Sequence, residues 1–389
     1  MNYNILLPEV REYLLKHIHA NPADFILMSH PFKIDPKELA QQLVGLQKAR
    51  FKLPELFSNE QVIYPLKVNL EQTSSFSTSV YKASLVSGKT MVDLTGGWGV
   101  DVLAFAKAGF STTHIERNPG LQAYSEQLFK ALDLNVLSFC TDGINYAYQE
   151  LDFVNVIYMD PGRKTSASPK AVLLEDYEPD VLQHLDLLLQ KCDTLIIKTS
   201  PMLDLHRGME QLKQVYEIHI VAVKNEVKEL LWLLKKQSET TEVLCLNLES
   251  KQPPLRFNTE KDQNCDSFSA PKKYLYEPNA SIMKSQGFQS LAESYNLEKL
   301  DINAHLFTSD SLMDFPGRVF EIQEFSVYKP KSVKKKYGKT ARGVVTRNFK
   351  NTVKHLRDKF QFTENEMDYL FFTSVKGVGA VVIEAVKLV

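Results

Sequence analysis

The sequence predicts an α/β protein: a doubly wound parallel sheet, preceded by a helical region and followed by small α+β units. Three observations carry this expectation. Residues Thr90–Leu94 form a short apolar run that enters a glycine cluster, Gly96, Gly97 and Gly99, after which Val102, Leu103, Phe105 and Ala106 recur at helical spacing. Strand, glycine loop and helix are the opening unit of a nucleotide-binding sheet. From residue 78 to about 250, short apolar runs alternate with helical patterns, as parallel strands with crossovers do. Near the end, two apolar runs flank Lys376-Gly377-Val378-Gly379, a hairpin signature.

A chain of 389 residues is too long for one ordinary core, so two to four domains are expected. We place them at 1–76, 77–250, 274–325 and 326–389. Hydrophobic content of 44% and charged content of 24% are those of a soluble globular protein. A net charge of −1 excludes a uniformly basic binder of nucleic acid but not a local basic face. The four cysteines, Cys140, Cys192, Cys245 and Cys265, are dispersed without a C-x-x-C pair. That argues against a zinc site or disulfide framework and fits a reducing cytoplasm. We read Cys140 and Cys192 as core residues. No apolar run of about 18 residues suggests a membrane span. The acidic N-terminal stretch MNYNILLPEVRE does not read as a signal peptide.

In chain order, Val10, Leu14, Leu15 and Ile18 mark one amphipathic helix, and Leu39, Leu43 and Leu46 mark another after the start signal Asp35-Pro36. Strands are expected at Thr90–Leu94, Thr112–Glu116, Val136–Phe139, Val154–Met159, Thr194–Lys198, Glu217–Val223 and Glu242–Leu248. The Leu-rich segment Glu226–Lys236 reads as a helix. So does the segment opening at Leu174-Glu175-Asp176-Tyr177-Glu178-Pro179, placed either to shape a substrate entrance or simply as an acidic helix start. Ser250–Lys273 is polar, contains Pro253-Pro254, and reads as a linker. Terminal strands are expected at Tyr369–Val375 and Ala380–Val386, with Thr363–Glu366 as a turn before them.

The ends of the first four expected strands carry acids in order: Asp93, Glu116, Asp142 and Asp160. Ligands of such sheets bind beyond the carboxyl ends of the strands. Glycines permit close backbone approach, and a helix N-terminus offers free amides. Glu116, 23 residues beyond Asp93, is placed to accept ribose hydroxyls, and Asp142 to meet an adenine amino group. Trp98 is placed either to stack on the ligand or to pack against the following helix. The loop alone also fits a nicotinamide enzyme.

Together these motifs resemble class I S-adenosylmethionine-dependent methyltransferases. The resemblance implies a Rossmann-like sheet. It also implies S-adenosylmethionine bound by Asp93, Thr95, Gly96, Gly97 and Gly99, with Glu116 on the ribose and Asp142 on the adenine. Thr95 stands where the family has its first glycine. Asp160-Pro161-Gly162-Arg163 matches the tetrad that faces the substrate, so Asp160, Pro161 and Arg163 are the candidate catalytic residues.

Methyl transfer from a sulfonium is chiefly in-line positioning and desolvation. A nitrogen acceptor also needs oxygens to take its N–H bonds. The Asp160 carboxylate and the Pro161 carbonyl fit those roles, while Arg163 replaces the usual aromatic and can stack or hold phosphate. D-P-x-R is also similar to the uracil-C5 methyltransferases, whose nucleophilic cysteine corresponds to Thr199 in Lys198-Thr199-Ser200-Pro201. A threonine hydroxyl without a base is too weak for that step, which favours direct transfer to nitrogen or oxygen. Lys198 reads as a paired lysine or a phosphate contact.

Between Lys331 and Lys359 stand eleven Lys or Arg residues and one acid, Asp358. Such clustering is the footprint of a phosphate-backbone partner, although charge runs are often only solvated surface. Lys334, Lys335, Lys336, Arg342, Arg347 and Lys350 are the candidate RNA contacts, with Tyr337 and Phe349 as stacking candidates. Residues Gly343–Phe349 and the terminal hairpin resemble a THUMP-like domain. Residues Tyr276–Lys284 through Phe315–Arg318 resemble the ferredoxin-like insert found with it in bacterial proteins, and Gln72–Ser75 to Tyr81–Ala83 resemble their lead into the first strand. The resemblance implies RNA methylation without naming a base. Joined to the cysteine usage, the apolar run lengths and the Asp160 and Thr199 readings, it gives the expectation of a cytoplasmic methyltransferase acting on RNA, tRNA or rRNA, at a nitrogen, without metal or membrane. An RNA-binding protein that retains the fold, and a protein methyltransferase, are the competing readings.

Overall fold

The computed structural model describes residues 1–164, 173–238, 240–259 and 267–388. The chain divides into two compact units: Met1–Tyr216 with Leu231–Glu239, and Glu217–Leu230 with Thr240–Val389.

The first unit opens with six helices: α1 (Pro8–Lys16), α2 (Pro22–Ile26), α3 (Pro36–Lys52), α4 (Pro54–Ser58), α5 (Lys67–Gln72) and α6 (Phe76–Ser84). Four of them start on proline, whose fixed φ suits the first turn and whose missing N–H would have no partner there. Side chains of Asn21, Asp35 and Ser75 cap α2, α3 and α6. Val10, Leu14, Leu39, Leu43 and Leu46 are buried in one cluster with Trp98, Val100, Leu103 and Leu128. Leu15, expected on the same face, is instead exposed. The helical region thus packs on the segment that follows the glycine loop.

The sheet of this unit then alternates β1 (Thr90–Asp93), α7 (Val100–Lys107), β2 (Ser111–Ile115), α8 (Pro119–Ala131), β3 (Val136–Phe139), α9 (Gly143–Gln149) and β4 (Val154–Met159). A two-stranded ribbon follows, β5 (Gly162–Arg163) against β6 (Tyr177–Glu178). Helix α10 (Val181–Gln190), β7 (Cys192–Thr199) and α11 (Leu205–Leu212) complete it. The strand order is β3-β2-β1-β4-β7, all parallel. The chain reverses its direction of travel across the sheet between β1 and β4, the place at whose carboxyl ends such sheets bind their ligands. The segment from Leu174 does not begin a helix: it makes a 3-10 turn, Leu174–Asp176, and then β6. The helix starts only after Asp180, whose side chain accepts from the Leu182 amide.

Strands β8 (Val215–Val223) and β9 (Glu226–Leu234) form a hairpin. The expected helix over Glu226–Lys236 is therefore a strand. Lys224 and Asn225 have φ of 50° and 66°, the pattern of a two-residue I′ turn. Leu230, Trp232 and Leu234 are buried, and so are Leu231 and Leu233. Burial on both faces erases the alternation that marks a strand, and a continuous apolar run does not distinguish strand from helix.

In the second unit, β8 from Glu217 pairs in parallel with β10 (Glu242–Leu248), and β10 pairs antiparallel with β11 (Leu255–Asn258). The stretch read as a linker therefore contains a strand; its residues 260–266, with Cys265, lie outside the described residues. A seven-stranded sheet follows: β12 (Tyr274–Pro278), β13 (Glu298–Lys299), β14 (Phe307–Ser309), β15 (Gly317–Val327), β16 (Gly343–Thr346), β17 (Asp368–Val375) and β18 (Gly379–Lys387). Its order is β13-β14-β12-β15-β18-β17-β16. Strand β15 pairs with β12 and with β18, so one strand joins the two C-terminal regions. Helices α12 (Ala280–Ser285) and α13 (Phe288–Tyr295) precede β13, and α14 (Pro330–Tyr337) and α15 (Val353–Phe360) flank β16. The last two pack through Val333, Tyr337, Leu356 and Phe360. Cys192 and Cys245 are buried, whereas Cys140 is exposed beyond β3 and is not a core residue. No helix among the described residues is long and apolar enough to cross a membrane.

Candidate active site

The glycine loop folds back over the neighbouring strand. The Gly96 amide donates to the Ile115 carbonyl at 2.8 Å, and the Gly97 amide donates to Glu116 Oε2 at 2.9 Å. Glu116 Oε1 accepts from the Asn118 amide at 2.7 Å. Each carboxylate oxygen has two acceptor positions, so Glu116 is oriented by protein bonds and still has capacity for two hydroxyls. A Cβ on Gly96 would meet the His114 ring and lie 2.8 Å from the Ile115 carbonyl oxygen. Gly97 has φ of +57° and Gly99 +82°, the region that disfavours side chains.

His114 lies under this loop and was not singled out by the sequence. It is fully buried; its Nε2 lies 3.2 Å from the Gly97 carbonyl and its Nδ1 3.0 Å from Ser138 Oγ. A carbonyl only accepts, so Nε2 carries the proton and Nδ1 accepts from the serine. Burial pulls the imidazole down to about 4, against the backbone bonds of Gly97 and Gly96. Asp142 caps α9, accepting from the Asn145 amide at 2.9 Å. Gly143 lies so close to the Leu94 backbone that a Cβ would collide with its carbonyl, which sets Asp142 beside the end of β1.

Asp93 and Asp160 are brought together through Thr95. Asp93 Oδ1 accepts from the Thr95 amide at 2.8 Å and from its hydroxyl at 3.1 Å. The Asp160 amide donates to the same hydroxyl at 2.6 Å. Burial pushes the Asp93 carboxyl up to about 8; the neighbouring Asp101 and Asp160 add to this and the Thr95 bonds oppose it. The Asp160 side chain is 33% exposed and pairs through Oδ2 with Lys198 Nζ. Pro161 is buried and Arg163 is exposed on β5 opposite Tyr177. The Tyr177 hydroxyl accepts from the Ser200 amide at 3.2 Å. Thr199 Oγ1 is buried and accepts from Trp232 Nε1 at 2.9 Å, so it is tied into the core.

A second buried network stands behind the loop. Lys82 Nζ lies 2.9 Å from Asp101 Oδ1 and donates to Ser74 Oγ at 2.7 Å. Asp101 Oδ2 accepts from Ser74 Oγ at 2.8 Å and from the Tyr158 hydroxyl at 3.0 Å. Burial pushes the Asp101 carboxyl up, but Lys82, Lys198 and Ser74 together hold it below the usual carboxylate range. The only sequence signal for Asp101 was its place in the first turn after the glycines. Trp98 is buried and packs with the N-terminal helices, 5.9 Å from the Tyr64 ring centroid.

In the basic region the candidates divide. Lys336 pairs with Glu324 and Glu384, Arg342 with Glu384 at 3.1 Å, and Arg347 with the buried Glu277 at 2.7 Å. Lys334, Lys335 and Lys350 are exposed, with no ion pair among the described residues. Tyr337 is buried, and its hydroxyl donates to Glu384 at 3.0 Å, so it is not presented for stacking. Phe349 packs against Tyr328 and Phe372.

Residues 274–316 match a ferredoxin-like domain family and residues 317–386 a THUMP domain-like family. The whole chain superposes on all of a crystal structure named as a candidate methyltransferase from Porphyromonas gingivalis W83, with 27% identity and a TM-score of 0.87. Part of the chain, 44%, aligns with 43% of the T. thermophilus 16S rRNA N2 G1207 methyltransferase RsmC in complex with AdoMet and guanosine, at 13% identity and a TM-score of 0.32. A larger share, 62%, aligns with 94% of a candidate class I S-adenosylmethionine-dependent methyltransferase from Listeria monocytogenes, at 12% identity and a TM-score of 0.39. No curated protein matches. The glycine cradle and the part-satisfied Glu116 and Asp142 fit S-adenosylmethionine. The chain shares its fold along its whole length with the Porphyromonas candidate methyltransferase and carries C-terminal ferredoxin-like and THUMP domain-like regions.

Proposed function

We propose that this enzyme methylates RNA, tRNA or rRNA, in the cytoplasm and at a base nitrogen, with Asp160 orienting the acceptor. In this reading residues 77–250 form the catalytic domain and residues 326–389 supply RNA affinity. S-adenosylmethionine supplies a methyl activated by its sulfonium charge. The Gly96–Gly99 backbone approaches the cofactor, Glu116 takes ribose hydroxyls and Asp142 takes the adenine amino group.

The observation that carries the proposal is the state of Asp160. It directly follows β4, is part-exposed, and has one carboxylate oxygen held by Lys198. Its other oxygen is available to accept an N–H, with the Pro161 carbonyl as a second acceptor. Two such bonds turn the nitrogen lone pair toward the methyl, which is positioning catalysis. Thr199 is committed to Trp232, which supports direct transfer over a covalent adduct. Arg163 and the exposed lysines of α14 suit phosphates.

Transfer of tritiated methyl to total RNA from a strain lacking the protein tests the reading, with nucleoside mass spectrometry naming the product. Asp160→Ala should keep cofactor affinity within a few-fold and lower transfer by about a hundredfold or more. Labelled polypeptide with unlabelled RNA, or full transfer by the variant, would contradict it.

A further inference from the structure

We propose that Thr95 is a positioning residue for methyl transfer: its hydroxyl ties the cofactor loop to Asp160 and fixes where that aspartate stands. This rests on the acceptor role proposed for Asp160.

The geometry fixes the direction of every bond. An amide N–H only donates, so the Asp160 amide at 2.6 Å makes Thr95 Oγ1 an acceptor. The hydroxyl has one proton, and its remaining close partner is Asp93 Oδ1 at 3.1 Å. The chain therefore runs Asp160 N–H to Thr95 O–H to the Asp93 carboxyl. Asp93 is buried at the end of β1 and anchors the inner end.

Strand register explains why a side chain is needed. Asp93 of β1 stands opposite Tyr158 of β4, and the Leu94 amide donates to the Tyr158 carbonyl at 3.1 Å. Extending the register brings Thr95 opposite Asp160, where both strands have ended. The Asp160 amide would leave the ladder without a partner, and the threonine hydroxyl supplies one. A glycine at residue 95 could not. The threonine therefore links the loop that holds the donor to the aspartate that turns the acceptor. Lys198 holds the same aspartate from its side chain, so Asp160 is fixed at both backbone and carboxylate.

The test uses the full chain with Thr95→Val, which keeps shape and removes the hydroxyl, and Thr95→Ser, which restores it. With RNA as acceptor, kcat should fall about tenfold to a hundredfold in Thr95→Val. The KM for S-adenosylmethionine should move less than kcat, and Thr95→Ser should recover kcat to within about threefold of wild type. Amide hydrogen exchange at Asp160 is read in parallel: faster in Thr95→Val, protected in wild type and in Thr95→Ser. Unchanged kcat or unchanged exchange in Thr95→Val would overturn the proposal. No transfer to RNA by the wild type would instead overturn the RNA reading, while exchange would still decide whether Thr95 holds Asp160.

Discussion

The Lys82 ammonium and the Asp101 carboxylate lie 2.9 Å apart, with the lysine side chain wholly inside the protein. The pair joins α6, which leads into the sheet, to the first turn of α7. Ser74 and Tyr158 take part in the same network. Buried charges are tolerated only when paired and hydrogen-bonded. Removing one partner leaves the other uncompensated, a cost of about 3–5 kcal/mol. Lys82→Met should lose stability on that scale in urea unfolding. The double variant Lys82→Met/Asp101→Leu should lose less, because no charge is left stranded.

Two buried groups give opposite pH dependences. The His114 imidazole titrates near 4 in the fold, below its ordinary 6.5. The unfolded chain therefore binds the extra proton first, and stability falls as pH drops from about 6.5 toward 4. Asp93 titrates near 8 instead of 3.8. Its proton is held by the folded state, so its effect weakens stability as pH rises from about 4 to 8. Unfolding midpoints measured across this range should show Asp93→Asn gaining on wild type as pH rises. His114→Gln should flatten the acidic side. Parallel curves for either variant would remove that residue from the titration.

Lysines on the basic face differ in what their removal does. Lys334, Lys335 and Lys350 are exposed, whereas Lys336 and Arg347 already face carboxylates. Replacing the first three with Ala should weaken RNA binding and reduce its slope against log salt by about 0.7–0.9 for each phosphate left unneutralised. Arg347→Ala should mainly cost stability, because it leaves part of the Glu277 charge unmatched. An unchanged salt slope in the triple variant would take this face out of the interface.

Much of the sheet was legible because its strands follow one another with helical crossovers and end in acids. Val136–Phe139, Val154–Met159 and Glu242–Leu248 fall where their apolar runs end. Strand β9 was not legible, since Leu230 to Leu234 is buried on both faces and its turn uses Lys224-Asn225 without glycine. Charge counting located the basic tail but not its pairing. Glu277 and Glu384 lie far from it in sequence, Glu324 stands just before it, and all three reach Arg347, Arg342 and Lys336 through sheet register and helix packing. Lys82, Asp101 and His114 were missed for the same reason: each looks ordinary until its neighbours are known. Thr95 was legible only as a departure from the glycine pattern, and its use appears once β4 lies beside β1.

In the proposed reading, the crevice at the strand ends holds the methyl donor through the glycine loop and Glu116, and the roles of Asp160 and Thr95 depend on that. Isothermal calorimetry of the folded full-length chain with S-adenosylmethionine and with S-adenosylhomocysteine decides it. One site per chain is expected for each ligand, weakened about tenfold or more by Glu116→Ala. No binding heat from either ligand, or equal affinity in the variant, would show that the donor is not held there.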